Sequence, residues 1–240
     1  MSSSRNTAHD LSPVSSRYLE AIYYMTHEGE SVRPSRLAEW LGVSAPTVTG
    51  VVQRLRDEGL LHVRTDRSIA LSETGDAEAG AIVRRHRIVE RWLADDIGLD
   101  WAAADLEAGR IAHFFSDDLV LRIFARLGRP GTCPHGNEIP GVQSRKRRLV
   151  SLAELSPNVV APIARISEVA EHEAPQLLRL LDREGLHLGE LVSVKRSPGA
   201  DAVTVIRGSR QTALGMGAAQ SVWVDLSHAP RAAHTDRAAV

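Results

Sequence analysis

The spacing of apolar residues near the start of the chain predicts two short helices joined by a tight turn. In residues 37–55, LAEWLGVSAPTVTGVVQRL, apolar side chains recur at helical spacing on either side of Gly42. Gly42 suits the left-handed backbone that follows a helix, and Ser44 is a residue type that caps a helix start. The pattern indicates a helix-turn-helix.

Two alternating segments, LLHVR and SIALS, follow Gly59 and are separated by residues 65–68. The alternation predicts two strands, and the polar stretch between them predicts a hairpin turn. A hairpin directly after a helix-turn-helix is the wing of a winged helix-turn-helix, and the combination is more specific than either part alone. The segment therefore predicts binding to duplex DNA. A structural module, or one that docks another protein, is the alternative.

The exposed face of the second helix carries small, hydroxylated or hydrogen-bond-donating side chains, which can lie against base edges and phosphates. Arginines before it and in the wing would approach the DNA backbone, although Arg33 and Arg36 fit solvated surface positions equally well. The predicted DNA contacts are Arg33, Arg36, Ser44, Ala45, Pro46, Thr47, Thr49, Gln53, Arg54, Arg64 and Arg67.

Helical and strand patterns continue through the rest of the chain, with capping residues and terminal glycines at the helix ends. They predict a mainly α-helical protein with a small C-terminal β-barrel or α+β domain. Helices are predicted over 16–29, from Ser72 to just before Gly98, and over 100–115, 116–128 and 175–184, and strands over 164–166, 191–195, 202–206 and 222–226.

Length, charge and cysteine usage narrow the setting. The chain has 240 residues, enough for two domains, and its net charge is −1, so DNA affinity must come from local basic patches and dimerisation. The basic run SRKRR at 144–148 is most simply a solvated hinge, with phosphate contact as the alternative. A single cysteine, no apolar stretch of about 20 residues, and no signal peptide in the first ten residues predict a soluble cytoplasmic protein.

Two groups of polar residues have the spacing of metal ligands. His86 and Glu90 lie four residues apart on the long helix and project from one face, and Asp105 and His113 share a face of the next helix. Taken alone, such a His-Glu pair is more often a surface pair than a metal site.

The winged helix, the helix RRHRIVERWLADDIGLDW and the loop CPHGNEIPG follow one another in an order that resembles the diphtheria toxin repressor family over residues 16–226. These proteins are iron- or manganese-dependent transcriptional repressors. The resemblance implies a homodimer that places two recognition helices in successive major grooves of a palindromic operator. It also implies that metal draws the DNA-reading heads to the right separation.

The residue patterns and the resemblance together predict five parts of the chain. They are a winged helix-turn-helix DNA-binding domain (1–75), a helical dimerisation and metal-binding domain (76–141), a linker (142–160), an SH3-like or FeoA-like domain (161–226) and a flexible tail (227–240).

The resemblance also makes His86 and Glu90 ligands of Fe²⁺ or Mn²⁺. Asp105 stands where relatives have a histidine, a change that still leaves a ligand. The C-terminal domain of some relatives lends further side chains, for which the candidates here are Glu168, Glu171 and His172.

The second, activating site departs from the family pattern. Relatives have a methionine or aspartate at the position of Arg17, a cysteine or glutamate at Gly109 and a glutamate at Ala112. Only His113 matches, with Glu20, a ligand position of the manganese-sensing branch, nearby. Since an arginine repels a divalent cation and one imidazole binds one poorly, we predict that this site is dismantled.

Two explanations of this change remain open. In the first, Arg17 supplies a permanent positive charge, bonds Glu20 or Glu107 and bridges helices without metal, so that DNA binding is constitutive or answers to an organic or redox signal. In the second, the site that contains His86 alone carries metal control.

Three further patterns bear on function. The glutamine that iron-dependent relatives carry in the recognition helix is Gly50 here, which removes one possible base contact. Cys133 and His135 in TCPHG are too few for a zinc site, and no third group is placed to orient the histidine, so we interpret the loop as a structural turn. The chain has no nucleophile–base–orienter set and no phosphate-binding glycine loop, so we expect no enzyme.

Overall fold

The computed structural model describes residues 11–196, 199 and 201–228. The chain is mostly helical in its N-terminal part and forms an antiparallel six-stranded sheet in its C-terminal part, which confirms the predicted fold class. No helix among the described residues is both long enough and apolar enough to cross a membrane. From position 229 onward, the predicted tail 227–240 lies outside the described residues.

Two compact units divide the chain. The first contains the residues up to Pro134 together with Glu138–Ser144, and the second contains His135–Asn137 together with the residues from Arg145 onward. The predicted helical domain 76–141 thus gives three loop residues to the second unit.

The first unit begins with the predicted helix-turn-helix and wing. Ser12 caps the first helix, Gly42 takes a φ of 65° where the second helix ends, and Ser44 caps the third by accepting a hydrogen bond from the Thr47 amide. The elements are α1 Pro13–His27, α2 Pro34–Leu41, α3 Ala45–Asp57, β1 Leu61–Val63 and β2 Ile69–Leu71.

One long helix and two shorter ones complete the first unit. Ser72, Asp100 and Ser116 each cap a helix start through a side-chain oxygen, as their positions in the sequence predict. The long helix continues as a π-helical turn over Leu93–Ile97 and stops at Gly98, whose φ is 82°. The helices are α4 Glu73–Trp92, α5 Trp101–Ile111 and α6 Asp117–Arg126, with a 3-10 turn Ala112–Phe114 after α5.

Helix α1 occupies the middle of the first unit. It packs on α2 and β2 on one side and on α4 on the other, and α4 in turn packs on α5 and α6. Removing apolar side chains from water stabilises this arrangement. The largest fully buried side chains of the unit include Leu19, Ile22, Met25, Leu37, Leu55, Leu61 and Ile88.

The second unit is a sheet with short helices at its connections. All of its strand pairs are antiparallel, in the order β3-β8-β4-β5-β6-β7. Its elements are β3 Leu149–Ser151, β4 Ala161–Ile166, α7 Glu168–Glu173, α8 Pro175–Arg183, β5 Leu191–Lys195, β6 Ala202–Arg207, β7 Arg210–Gly215, α9 Met216–Ser221 and β8 Val222–Asp225, followed by a 3-10 turn Leu226–His228.

The predicted linker 142–160 is wrong in its second half. Residues Leu149–Ser151 form strand β3, which pairs with β8, and Leu152 and Leu155 are fully buried. Three residues are too short a pattern to separate a strand from a loop, because β3 is defined by its distant partner. Strand β7 and helices α7 and α9 were not predicted either, because each has only six residues, too few for a distinct periodicity.

A close approach at the start of α4 generates a stability prediction. A Cβ on Gly75 would lie 1.9 Å from the Leu60 carbonyl oxygen, whereas a Cβ on Gly80, further along the helix, would make only ordinary contacts. We expect Gly75→Ala to lower the free energy of unfolding by about 3 kcal/mol or more because backbone must move. Gly80→Ala should raise it by about 0.5–1 kcal/mol. Urea unfolding followed by circular dichroism checks both, and equal midpoints for the two variants would contradict the packing described.

Candidate nucleic-acid interface and metal centre

Helix α3 has one buried face and one face in solvent. Val48, Val51, Val52 and Leu55 are buried and form the apolar stripe that holds the helix. The opposite face contains the predicted contacts of this helix and its cap, all of which are exposed: Ser44, Ala45, Pro46, Thr47, Thr49, Gln53 and Arg54.

Local hydrogen bonds already use part of this face. The Thr49 hydroxyl donates to the Ala45 carbonyl oxygen at 3.0 Å, and the Gln53 amide donates to the two carboxylate oxygens of Asp57 at 2.9 and 3.0 Å. A base contact by Thr49 or Gln53 therefore exchanges one hydrogen bond for another. The first turn of α3 is capped and exposed, and it is the part of this face most accessible for contact with DNA.

The arginines near this face differ in their partners. Arg36 pairs with Glu30 at 3.0 Å and lies 5.6 Å from the Trp40 ring centroid. These contacts favour a surface arginine that stabilises the fold over one that contacts DNA phosphates. Arg54 donates to the Ser15 hydroxyl at 3.2 Å and thereby connects α3 to α1. Arg54 is exposed, so one side of its guanidinium still faces solvent.

The wing presents a cationic tip. Arg64 and Arg67 are exposed, and Arg67 has a left-handed backbone with a φ of 65°. Asp66 accepts hydrogen bonds from the Ser68 hydroxyl (2.7 Å) and amide (3.0 Å), and these bonds lower the pKa of Asp66. Arg33 donates to the Asp66 carbonyl oxygen at 3.4 Å, so three arginines surround this turn.

A buried histidine joins three helices of the same unit. The Nδ1 atom of His86, on α4, lies 3.1 Å from Glu20 Oε1 on α1, and its Nε2 atom lies 3.2 Å from Asp105 Oδ1 on α5. The Tyr24 hydroxyl donates to the same Glu20 oxygen at 3.0 Å. One imidazole ring thus connects α1, α4 and α5.

The charge state of this ring follows from its two carboxylate neighbours. Burial disfavours the protonated form of His86, but the hydrogen bonds and negative charges of Asp105 and Glu20 outweigh it and raise the pKa of His86 well above its ordinary value. This raised pKa favours the imidazolium form of His86, in which the ring donates to both carboxylates.

Asp105 lies close to two other possible ligands of a divalent cation, His86 and Glu90. His86 Nε2 and Asp105 Oδ1 are close enough to coordinate one ion, and a Glu90 carboxylate oxygen lies within 4.8 Å of an Asp105 carboxylate oxygen. One imidazole and two carboxylates suit Fe²⁺ or Mn²⁺. Glu90 is buried, and a buried carboxylate needs a cation or hydrogen-bond donors nearby.

The residues at the second predicted site do not fit a metal. They line a cavity of about 90 Å³ whose walls include Arg17, Gly109, Ala112 and His113. Glu20 also reaches this cavity, but its carboxylate is bonded to His86 and Tyr24. His113 is exposed, and the other metal-ligating side chains that line this cavity, Glu20 and His86, are paired with each other. The loss of the activating metal site remains a prediction.

The suggested role of Arg17 as a bridge is wrong. Among the described residues Glu20 pairs with His86, and Glu107 pairs with Arg110 at 3.2 Å. The cation that pairs with Glu20 is His86, which lies on a helix whose distance from α1 the sequence does not reveal.

Glu171, one of the candidates in the second unit, has partners within that unit. Glu171 lies 3.3 Å from His135 Nδ1 and accepts a hydrogen bond from the Asn137 amide at 3.0 Å. Glu168 is also buried, whereas His172 is exposed. Glu171 is therefore a charged neighbour of His135 that was not predicted from the sequence.

The CPHGNEIPG loop forms a turn, as its composition indicates. The Ile139 amide donates to the Gly131 carbonyl oxygen at 2.9 Å, which closes the loop. Cys133 is buried in the first unit, with its sulfur within 4.8 Å of a Glu90 carboxylate oxygen. The sequence analysis missed this thiol as a possible further donor, because the proximity depends on how the loop folds back onto α4.

Large apolar side chains on and between α5 and α6 remain in solvent. Phe114 is 78% exposed, Leu121 58% and Leu106 56%. Large apolar side chains are costly to leave in water, and such exposure is typical of an interaction surface.

Comparison with known proteins agrees with this architecture. Family models match three successive parts: the iron dependent repressor N-terminal DNA binding domain (10–69), its metal binding and dimerisation domain (72–141) and the FeoA domain (150–226). The iron-dependent repressor IdeR of Mycobacterium leprae is 35% identical over 90% of this chain and 98% of its own length. The diphtheria toxin repressor of Corynebacterium diphtheriae is 34% identical over 77% of this chain and 85% of its own length.

Solved structures give the same picture. A manganese-dependent transcriptional repressor in complex with manganese superimposes with a TM-score of 0.78 at 32% identity, covering 88% of this chain and 99% of that one. The IdeR of T. acidophilum superimposes with a TM-score of 0.73 at 25% identity, covering 88% and 96%.

Gly50 offers a direct test of the recognition face. A Cβ at this exposed position would meet nothing within 4 Å, so Gly50→Gln places the missing glutamine without a clash. We expect the variant to change the preferred base at one operator position by about 1–3 kcal/mol, because a glutamine amide can bond adenine in the major groove. Selection from a pool of random duplexes measures this change. Gly50→Ala is the matched control for helix propensity, and an identical preference for all three proteins would contradict the placement of this face.

Proposed function

Because the chain belongs to the iron-dependent repressor family, we propose that it is a homodimeric transcriptional repressor that binds a palindromic operator and controls metal homeostasis. The exposed first turn of α3, capped by Ser44 and held by buried valines, carries this proposal. Two copies related by a twofold axis would present two such helices to successive major grooves. The exposed apolar side chains of α5 and α6 supply the surface for self-association.

The affinity of this protein for DNA must come from local groups of basic residues rather than from its overall charge. With a net charge of −1 the whole molecule is not attracted to a polyanion, so the arginines around the wing provide the phosphate contacts. The small side chains at the start of α3 leave the helix backbone close to the bases. We place the protein in the cytoplasm, since a repressor must reach the chromosome.

We propose that Fe²⁺ or Mn²⁺ binds at His86, Glu90 and Asp105. When bound, the ion neutralises the carboxylates and holds α4 and α5 together. The chain's own residues supply one imidazole and two oxygen donors, and the ring orientation is set by Glu20. Glu168, Glu171 and His172 remain candidates for further ligands.

Two other functions remain as candidates. A repressor of the same fold that answers to an organic or redox signal is favoured by the cavity beside Gly109 and Ala112. A winged helix that docks a protein is the candidate from another class. Salt-dependent binding to a palindromic duplex separates both repressors from the docking module.

Operator binding is tested with a duplex selected from a palindromic pool, by fluorescence anisotropy at several salt concentrations. We expect tight binding of a dimer that weakens steeply with salt. Ala45→Glu should reduce the affinity at least about tenfold, because it places a carboxylate against phosphates while remaining favourable in the first turn of a helix.

Ala77→Glu is the matched control, since Ala77 is also exposed and lies near the start of a helix, α4. It should leave the affinity within about twofold. A protein that stays monomeric and binds none of the duplexes at low salt would contradict the proposed function.

The departure at the second site predicts a gain of function. Arg17→Met, Gly109→Cys and Ala112→Glu together restore the residue types of the family, and a Cβ at Gly109 would lie an ordinary 3.8 Å from His86 Cε1. We expect the triple variant to bind about one more Mn²⁺ per chain than the wild type, because a thiolate, a carboxylate and His113 then face one cavity. Equilibrium dialysis with metal analysis measures the difference, and an unchanged metal content would contradict the alignment of these positions.

A further inference from the structure

We propose that the Glu20–His86 hydrogen bond is a metal-free link between the DNA-reading head and the dimerisation helices. It acts where relatives use the activating metal. The inference rests on the proposed function, since its readout is operator binding. In this role Glu20 is a positioning residue that acts through His86.

The geometry on the α1 side fixes the Glu20 carboxylate. Its Oε1 atom receives hydrogen bonds from two donors, His86 Nδ1 at 3.1 Å and the Tyr24 hydroxyl at 3.0 Å. Tyr24 lies one turn further along the same helix and is buried. The carboxylate therefore points at α4, and a charge-assisted hydrogen bond of this kind is among the stronger ones in proteins.

The chemistry of His86 allows the link to survive in both metal states. An imidazolium donates from Nδ1 to Glu20 and from Nε2 to Asp105. A neutral ring with its proton on Nδ1 still donates to Glu20, and its Nε2 lone pair is then available to a cation. A carboxylate behind a histidine ligand is a common arrangement because it fixes the ring orientation.

The link continues from α1 to the recognition helix. Arg54 of α3 donates to Ser15 of α1 at 3.2 Å, and α1 also packs on α2 and on β2 of the wing. At the other end Asp105 carries the link from α4 to α5. Side chains of the protein alone thus connect α3, α1, α4 and α5.

The neighbouring positions explain why a protein link is needed. Gly109 and Ala112 offer no donor atoms, and Arg17 places a positive charge beside the cavity. In the described part of the chain no carboxylate pairs with Arg17, so its charge stays at the cavity mouth and repels a divalent ion. The Glu20 carboxylate therefore accepts a hydrogen bond from His86 instead of binding a metal.

The experiment measures operator affinity in EDTA for the full-length dimer. We expect the wild type to bind with chelator present, within about threefold of its affinity in Mn²⁺. Glu20→Ala should weaken binding about tenfold or more in both conditions, because it removes a hydrogen bond to a charged group. Glu20→Gln keeps an acceptor oxygen for Nδ1 and should recover most of the loss. Arg17→Met is the control for the other cation at this cavity and should stay within about threefold of the wild type.

A second readout separates positioning from metal ligation. Electron paramagnetic resonance of Mn²⁺ at saturation should give the same number of bound ions for the wild type and Glu20→Gln. Loss of a bound ion in Glu20→Gln would identify Glu20 as a metal ligand and overturn the proposal, as would loss of wild-type operator binding in EDTA while Mn²⁺ restores it. Failure of every protein to bind any duplex would instead overturn the proposed function.

Discussion

The first unit depends on the hydrogen bonds that join the His86 ring to Glu20 and Asp105. A buried ring between two carboxylates must offset the desolvation of three polar groups, and it does so because both nitrogens have an acceptor at hydrogen-bond distance. The two acceptors come from different helices, α1 and α5. Apolar packing brings these helices to α4, but it is non-directional, whereas the ring fixes how they are rotated and aligned.

The DNA-reading head shows how a chain with no excess of positive charge can still recognise a polyanion. Several of its arginines are neutralised internally, Arg36 by Glu30 for example, and this leaves cationic groups mainly at the wing. Each head alone would bind weakly and with little specificity. Pairing two heads at a fixed separation raises affinity without new contacts, provided that both reach their half-sites together. The position of α1 on α4 therefore has a direct effect on DNA affinity.

The sequence predicted local features, such as helix caps and turns, better than contacts between residues far apart along the chain. Caps at Ser44 and Ser72 and the turn at Gly42 are encoded by neighbouring residues, and these features formed as predicted. Strand β3 was taken for linker because its pairing lies with β8, far along the chain. The same limit applies to the candidate sites. Spacing on one helix identified His86 and Glu90 as candidates. The contacts of Glu20 with His86 and of Glu171 with His135 join distant parts of the sequence, and only the folded structure reveals them.

The altered residues of the second site make physical sense as a group. Had Gly109 and Ala112 kept their family donors while Arg17 replaced its ligand, acidic groups would remain in a cavity without their cation, which is costly. Small residues there remove that cost and leave apolar walls, while an arginine is tolerated because its side chain extends into solvent. Among the residues that the structure describes, Glu20 is the one acidic side chain that lines this cavity, and His86 pairs with it. In the proposed arrangement the missing metal donors and the Glu20–His86 hydrogen bond belong to one change, in which a hydrogen bond between two protein side chains connects α1 to α4.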